Sequence, residues 1–292
     1  MTHDPISRFR RFARSVTTEV GALDESFLGR GRSLGAARVL NAIGHGHADV
    51  ADLRTYLNLD SGLLSRLLRQ LEGEDLITLS PSPTDARARI AALTPAGQAE
   101  FTAYEKISNT RAADLLDRHP RPEALLAAMD LIASALGQDR IVIEERDPRA
   151  PQSLFCLNEY YAELGRRFKT GFDVNLSCDP QATDMIPPRG AFLVALSDGM
   201  PIGCVGIKGN AGPIAEVKRL WIAPSARGLG LAKRLMNDAE DRARTLGIKT
   251  LRLDTNSALP EAIRLYQTTG WTQIDRFNDD PYPDHFFEKS LE

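Results

Sequence analysis

Residues 216–232 read EVKRLWIAPSARGLGLA, and this stretch decides the fold of the second half of the chain. A strand-like run ends at Ile222, Pro224 interrupts it, and the glycine-rich residues 227–232 lead into a helical pattern. A glycine-rich turn between a strand and a helix exposes backbone N–H groups beside the positive end of the helix dipole. The pattern therefore predicts a cradle for a pyrophosphate group. Its glycine spacing does not match the GxGxxG fingerprint of dinucleotide-binding folds.

The length and composition favour two ordinary globular domains. The chain has 292 residues, of which 42% are hydrophobic and 26% are charged, and domains usually contain roughly 100–200 residues. The formal net charge is −3 at pH 7, so no overall positive field attracts nucleic acid. Any DNA contact therefore has to come from a local cluster of basic side chains.

The cysteines and the hydropathy pattern favour a cytoplasmic protein. Three cysteines, Cys156, Cys178 and Cys204, lie far apart in the second half, which fits neither a disulfide framework nor a CxxC metal site. No basic-then-apolar leader opens the sequence, and no apolar run approaches the roughly 18 residues of a membrane span. Two histidines in the glycine turn at residues 45–47 are typical of a loop, so we predict no metal site.

The chain changes character near its middle. Its opening segment, residues 6–28, carries apolar residues at spacings of three and four, which predicts one buried helical stripe. A turn-rich hairpin is predicted between residues 75 and 93, and the second half alternates strand-like and helical runs, as in a mixed sheet with packed helices. We place the domain boundary between residues 138 and 139, which gives domains 1–138 and 139–292. Further helices of the first domain are predicted at residues 33–42, 48–57, 61–72, 95–119 and 122–136.

Two of these helices have the layout of a helix–turn–helix. A short turn separates residues 48–57 from residues 61–72, and Asp60 or Ser61 is a suitable N-cap for the second helix. Four leucines form one face of that helix, and small residues and arginines occupy the other, where arginine can contact guanine edges or phosphates. Two more arginines lie near the hairpin tip, where a wing can reach the minor groove. The predicted DNA-binding residues are Ser61, Gly62, Ser65, Arg66, Arg69, Arg87 and Arg89.

The first half resembles the MarR family of winged-helix regulators over roughly residues 6–137. The match rests on SRLLRQLE at residues 65–72, DARA at 85–88 and LTPAG at 93–97. The resemblance implies a mainly α-helical winged helix–turn–helix with a β-wing, and a homodimer built through the terminal helices. A symmetric dimer reads a palindromic operator in double-stranded DNA. Two alternatives stay open: the arginines form an ordinary solvated face, or the domain serves only dimerisation.

The second half resembles the GNAT superfamily of acyl-CoA-dependent N-acyltransferases over about residues 140–292. Residues 227–232 match its R/Q-x-x-G-x-G/A signature, and Asn256, Ala262, Tyr266 and the GW pair at 270–271 fit its N…A…LY…GF/W pattern. The resemblance implies an α/β fold with a mixed, mostly antiparallel central sheet and flanking helices. It also implies acetyl-CoA as the cofactor and a primary amine of a small molecule, less often of a protein, as the acceptor.

The resemblance also implies where the cofactor lies. Leu220 and Ile222 offer backbone hydrogen bonds to the pantetheine arm, while the side chain of Trp221 packs on the opposite face of the strand. The amides of residues 228–232 hold the pyrophosphate, with the side chains of Arg227 and Lys233 nearby. The predicted cofactor-binding residues are Leu220, Trp221, Ile222, Arg227, Gly228, Leu229, Gly230, Leu231, Ala232, Lys233 and Asn256.

Acyl transfer to an ammonium group needs a proton acceptor, and the leaving thiolate benefits from a proton donor. The resemblance places Tyr266 as that donor, because a phenol with a pKa of about 10 is protonated at neutral pH. Glu216 is the candidate base, since it lies on the strand that carries the cofactor contacts. The alternatives are a packed tyrosine and a glutamate paired with Lys218 or Arg219. Aromatic residues in the regions that resemble the acceptor pocket are Phe155, Tyr160, Tyr161, Phe168, Phe172, Tyr282 and Phe286. Helical spacing sends some of them into the core, so we expect at most two to touch the substrate.

The sequence therefore predicts a bifunctional transcriptional regulator and N-acetyltransferase that works by direct attack in a ternary complex. The alternative is a transcription factor whose second domain senses acyl-CoA or a metabolite without turnover. Because both halves share one chain, we also hypothesise that acetylation and operator binding are coupled.

Overall fold

The computed structural model describes residues 4–83, 85, 87–169, 171–176, 182, 184–209 and 212–292. Internal contacts divide the chain into two units, Met1–Pro122 and Glu123–Glu292. Cys178 and the wing residue Ala86 lie outside the described residues. The functional boundary placed between residues 138 and 139 stays a prediction.

The first unit is helical apart from one hairpin. Its helices pack around a leucine-rich core that includes Leu40, Leu53 and Leu71, each with no exposed surface. The hairpin pairs its two strands in antiparallel register from Ile77 opposite Leu93 to Pro81 opposite Arg89. The elements are α1 (Pro5–Glu19), α2 (Leu34–Gly44), α3 (Val50–Leu57), α4 (Ser61–Gly73), β1 (Ile77–Pro81), β2 (Arg89–Leu93) and α5 (Pro95–Arg118).

The α3–α4 pair forms the predicted helix–turn–helix. Asn58 ends α3 in the left-handed region with φ 50°, and the carboxylate of Asp60 accepts a hydrogen bond from the backbone N–H of Leu63 at 2.9 Å. This N-cap fixes the start of α4. The predicted apolar face of α4 is confirmed, because its buried residues are Leu64, Leu67, Leu68 and Leu71.

The prediction that residues 6–28 form one buried stripe is wrong for the single chain. Helix α1 ends at Glu19, and Gly21 follows with a left-handed φ of 64°. No residue of α1 is buried. Ile6 is 68% exposed and Phe9 is 61% exposed, so the apolar stripe exists but has no covering element within its own unit.

The second unit is a seven-stranded sheet with helices packed on it, as predicted. The strand order is β3-β4-β5-β6-β7-β9-β8. Within the part of the chain that the structure describes, β6 and β7 are the one parallel pair, and the other neighbouring strands are antiparallel. The elements are α6 (Pro122–Leu136), β3 (Val142–Glu145), α7 (Pro151–Arg167), β4 (Ala191–Ser197), β5 (Met200–Lys208), β6 (Ile214–Ile222), α8 (Leu231–Thr245), β7 (Thr250–Thr255), α9 (Pro260–Thr268), β8 (Thr272–Gln273) and β9 (His285–Ser290).

A gap opens in the middle of this sheet. Strands β6 and β7 pair only from Ile214 opposite Thr250 to Val217 opposite Leu253, although β6 continues to Ile222 and β7 to Thr255. On its other side β6 carries a β-bulge against β5, and Arg219 in that bulge has φ 59°. A bulge bends its strand and redirects the side chains beyond it. The unpaired ends of β6 and β7 form the framework of the candidate site.

Candidate functional site

A cavity lies at the unpaired ends of β6 and β7. Its floor includes the Lys218–Leu220 segment of β6 and Asp254 and Thr255 of β7. Helix α9 contributes Tyr266 to one side. The remaining lining residues are Tyr160, Tyr161, Leu164, Phe168, Phe172, Val217, Asn256, Leu259, Ala262, Asp280, Tyr282 and Pro283.

The loop between β6 and α8 has the geometry of an anion cradle. Gly228 and Gly230 adopt left-handed backbone conformations with φ 79° and 75°. The Cβ position of each glycine has no heavy atom within 4 Å, so the space beside the backbone is open. Gly230 is the N-cap of α8, and the first backbone N–H groups of a helix lack intrahelical acceptors. The amides of Leu231, Ala232 and Lys233 are therefore available to a phosphate oxygen.

The side chain of Arg227 is held beside this loop. Its Nε donates to the carbonyl of Ile222 at 3.1 Å, and its guanidinium donates to Glu163 of α7 at 2.5 Å. Trp221 Nε1 donates to the same carboxylate at 3.1 Å. The indole of Trp221 is thus buried and packed away from the cavity. Any contact of Trp221 with a cofactor is limited to its backbone.

Tyr266 combines burial with access to the cavity. It is 5% exposed, and its ring packs against Trp271 and Phe287. Burial, followed by the nearby carboxylate of Asp254, raises the pKa of the Tyr266 phenol above its ordinary value. Both effects disfavour the phenolate. Tyr266 therefore stays protonated at neutral pH, as a proton donor must.

Lys218 joins two carboxylates across the gap. Its ammonium lies 2.6 Å from Asp254 Oδ2 and 3.1 Å from Glu216 Oε2. Burial lowers the pKa of Lys218, but the charges of Asp254 and Glu216 outweigh it, so the pKa is raised overall. Glu216 is half-buried and is not among the cavity-lining residues. The pairing of Glu216 with Lys218 matches the alternative considered for it.

Asp254 is one of two carboxylates, with Asp280, that line the cavity. It also accepts a hydrogen bond from the Asn278 amide at 2.6 Å. Its negative charge adds to the effect of burial in raising the pKa of both Tyr266 and Tyr160. Sequence reasoning missed Asp254, because its partner Lys218 is distant along the chain and the two meet only through strand pairing.

The other predicted cofactor residues divide between cavity and core. Leu220 and Asn256 line the cavity. The Asn256 amide is also structural, because it donates to the carbonyl of Tyr282 at 2.6 Å and accepts from the N–H of Ala258 at 2.8 Å. Ile222 contacts the cradle through its carbonyl, which holds Arg227.

Aromatic residues form one wall of the cavity, which we call the aromatic wall. Phe172 is its centre, with ring centroids 5.8 Å from Tyr161, 6.0 Å from Phe168 and 4.8 Å from Tyr282. Tyr160 lines the cavity as well, whereas Phe155 does not. Phe155 is 45% exposed and contacts Trp221 instead. Phe286 is buried beside Phe277, outside the cavity lining.

The end of α6 contacts the anion cradle. Gln138 Nε2 donates to the carbonyl of Leu229 at 3.3 Å. Ser134, which is 3% exposed, lies with its Oγ 3.5 Å from Ser225 Oγ. Residues at the end of α6 and just after it thus contact the loop that precedes α8, within the second unit.

In the first unit, the predicted DNA-binding residues share one property. All of them are exposed and none belongs to the core: Ser61, Gly62, Ser65, Arg66, Arg69, Arg87 and Arg89. Arg69 Nε donates to the carbonyl of Ser65 at 3.2 Å, which orients it along α4. At the wing tip, Asp85 accepts from the N–H of Arg87 at 2.9 Å. The side chains predicted to contact DNA are therefore presented to solvent on α4 and on the wing.

Among the described residues, no three histidine, cysteine or acidic side chains are grouped so as to hold a metal ion. No helix in the described part of the chain is long and apolar enough to cross a membrane.

Comparison with known protein families gives two matches. The acetyltransferase (GNAT) family matches residues 157–271, and the MarR family matches residues 30–88. This order of domains confirms the predicted fusion.

The similar curated proteins match the second half. An uncharacterized N-acetyltransferase of Schizosaccharomyces pombe is 35% identical over 99 residues, which cover 33% of this chain and 61% of that protein. The uncharacterized N-acetyltransferase YjgM of Escherichia coli is 32% identical, covering 41% of this chain and 74% of its own length. An IAA acetyltransferase of Azospirillum brasilense is 39% identical, covering 36% of this chain and 70% of its own.

Proposed function

The chain belongs to the GNAT acetyltransferase family and carries a MarR-family domain before it, and on that premise we propose that it is a transcriptional regulator that also acetylates a primary amine. The observation that carries the enzymatic proposal is the cavity that Tyr266 and Asp254 both line, at the unpaired ends of β6 and β7. The donor is acetyl-CoA, and the acceptor is an amine of a small molecule.

The chain's own groups fit acetyl-CoA. The open glycines 228 and 230 and the first amides of α8 suit its pyrophosphate, with Arg227 and Lys233 nearby. The unpaired end of β6 at Leu220 and Ile222 suits a pantetheine arm, which hydrogen-bonds like an extra strand. When bound, acetyl-CoA supplies the acetyl group as an activated thioester.

The chemistry assigned to the protein is proton transfer and positioning. An alkylammonium with a pKa near ~10 has to lose a proton before it attacks a thioester. The carboxylate of Asp254 lines the cavity, where it attracts that ammonium group and is one candidate for accepting its proton. Glu216, which pairs with Lys218, is the other candidate and accepts the proton through water. The Tyr266 hydroxyl donates a proton to the departing thiolate, which its raised pKa permits at neutral pH.

The MarR-family unit supports DNA binding by a homodimer. Arg66 and Arg69 of α4 suit a major groove, and Arg87 and Arg89 of the wing suit the adjacent minor groove. The uncovered apolar stripe of α1 fits a second copy of the same stripe, because burying exposed apolar side chains stabilises association. A symmetric dimer of this kind reads a palindromic operator.

We also propose that the two activities are coupled, because α6 begins at Pro122, the last residue of the first unit, and Gln138 just after α6 donates to the cradle loop. A ligand that moves Leu229 changes the hydrogen bond from Gln138. Gel-shift titration of operator DNA with and without acetyl-CoA tests this hypothesis. If acetyl-CoA and acceptor together leave the operator affinity unchanged, the coupling hypothesis is wrong. The proposals of acetyl transfer and of DNA binding would be unaffected.

The experiment for the enzymatic proposal uses the full chain. Calorimetric titration measures acetyl-CoA binding, and thiol release with a panel of amines measures turnover. We expect binding and amine-dependent thiol release, with product mass increased by one acetyl group. Binding without turnover on any amine would overturn the enzyme and favour an acyl-CoA sensor. Absence of acetyl-CoA binding would overturn both the enzyme and the acyl-CoA sensor.

A further inference from the structure

The aromatic wall indicates which class of amine the cavity binds as acceptor. Tyr161, Phe168, Phe172 and Tyr282 are joined by ring contacts, and each is only partly buried. Tyr161 also packs against the core of the sheet. The Tyr282 hydroxyl accepts a hydrogen bond from the backbone N–H of Asp173 at 2.9 Å, which fixes the segment around Phe172 against it. Half-buried rings at the edge of a cavity are surfaces for another apolar or aromatic group.

The charged side chains that line the cavity balance one another, because two carboxylates, Asp254 and Asp280, face two cations, Lys218 and Arg219. Lys218 forms ion pairs with two carboxylates, those of Asp254 and Glu216. Asp280 is 7% exposed and lines the cavity, and its carboxylate accepts a hydrogen bond from the backbone N–H of Tyr282 at 3.1 Å. The remaining cation, Arg219, is 6% exposed and lies 5.7 Å above the ring of Tyr161.

This arrangement disfavours two other classes of amine. A polyamine or aminoglycoside brings several positive charges, and the two carboxylates of the lining, already balanced by Lys218 and Arg219, do not neutralise them. A free amino acid brings a carboxylate that needs a cation, yet both cations of the described cavity are engaged, Lys218 by carboxylates and Arg219 by Met185 and the Tyr161 ring. Burying an uncompensated charge is costly.

From these observations we infer that the acceptor is a lipophilic monoamine of the arylalkylamine type. Its ammonium group lies toward Asp254 and Asp280, and its ring lies against the aromatic wall. Aromatic faces attract a nearby ammonium and also stack with another ring, so both ends of such a molecule gain from the same residues. This inference rests on the proposed acetyl transfer, and it adds the substrate class.

The test compares amines on the full chain. Phenethylamine is the probe, n-hexylamine lacks the ring, phenylalanine adds a carboxylate, and spermidine adds positive charges. We expect kcat/KM for phenethylamine to exceed that for each of the others by tenfold or more. Equal or better turnover of spermidine, phenylalanine or n-hexylamine would overturn the inference and leave acetyl transfer standing. Thiol release with none of the four would overturn it as well, and the wider amine panel then decides whether acetyl transfer survives.

Two matched variants test whether the aromatic wall causes the preference for phenethylamine. Phe172→Leu removes the central ring of the aromatic wall and keeps an apolar side chain, whereas Phe155→Leu makes the same change outside the cavity. Loss of an aromatic pair is worth a several-fold change. We expect Phe172→Leu to lower the phenethylamine to n-hexylamine ratio of kcat/KM about fivefold and Phe155→Leu to leave it unchanged. An unchanged ratio in Phe172→Leu, with wild-type acetyl-CoA affinity, would overturn the inference.

Discussion

The ammonium group of Lys218 lies 2.6 Å from a carboxylate oxygen of Asp254, and the two side chains are only 12% and 10% exposed. Removing one partner of a buried ion pair leaves an uncompensated charge, which costs several kcal/mol. We expect Lys218→Met to lower the free energy of unfolding by about 3 kcal/mol, measured by urea denaturation at pH 7. The control is Lys169→Met, an exposed lysine just after α7, which should change stability by less than about 0.5 kcal/mol. Equal stability of the two variants would contradict a stabilising role for the pair.

The same pair predicts a dependence of stability on alkaline pH. The pKa of Lys218 is raised in the folded chain despite its burial, because Asp254 and Glu216 favour the ammonium form. A raised pKa contributes stability that is complete below the unfolded-state pKa of about 10.4. That contribution is lost as the pH rises through the folded-state pKa. The stability difference between wild type and Lys218→Met should therefore be constant from pH 7 to about pH 10 and shrink above it. A difference that grows above pH 10 would show that the sign is wrong.

Tyr266→Phe tests the proton donor. The variant keeps the ring that packs against Trp271 and Phe287 and removes only the hydroxyl. General acid catalysis contributes roughly 10²–10⁴-fold, so we expect kcat to fall at least about 10²-fold with acetyl-CoA affinity unchanged. Because burial and Asp254 raise the pKa of Tyr266, wild-type kcat should show no loss from tyrosine ionisation up to about pH 10. A kcat within threefold of wild type would remove Tyr266 from the mechanism.

Gly230→Ala tests the cradle. Gly230 has φ 75° with no heavy atom near its Cβ position, so the substitution introduces backbone strain of about 1–2 kcal/mol without a clash. We expect a tenfold or greater loss of acetyl-CoA affinity by calorimetry, because the amides at the start of α8 no longer hold their positions. Gly199→Ala is the matched control, since Gly199 has φ 80° and equally open surroundings in the β4–β5 turn. It should lose similar stability but keep the affinity, and an equal loss of affinity in both would refute a local effect.

Sequence patterns predicted the parts of this molecule that depend on local chemistry. The leucine face of α4 and the glycine pair before α8 are where periodicity and the junction of a strand and a helix place them. Such patterns could not predict the left-handed conformation of Arg219. Glycine is the usual residue at a positive φ, and only the surrounding fold stabilises arginine at φ 59°. That bulge decides which side chains of β6 face the cavity.

The pairing of charges was also beyond sequence reasoning. Glu216 was predicted as a base from its strand alone, but its place relative to the cavity depends on Lys218 and on Asp254 of the neighbouring strand. Glu163 on α7 gave no local signal, although it binds both Trp221 and Arg227. The periodicity of α1 predicted its apolar face but not the exposure of that face, because an exposed apolar stripe has the same pattern as one that faces the core.

Arg87→Ala tests the wing as a phosphate contact. Arg87 is exposed at the tip of the hairpin, and its backbone is held by Asp85, so the substitution removes a charge without removing packing. Loss of one phosphate contact reduces the slope of log K against log salt by about one. Arg166→Ala, at an exposed position of α7 in the second unit, removes the same charge away from the wing and should leave the slope unchanged. Gel-shift titrations of a duplex containing the operator at several salt concentrations give both slopes. Identical slopes for wild type and Arg87→Ala would mean that the wing does not contact the backbone, and DNA binding would then rest on α4 alone.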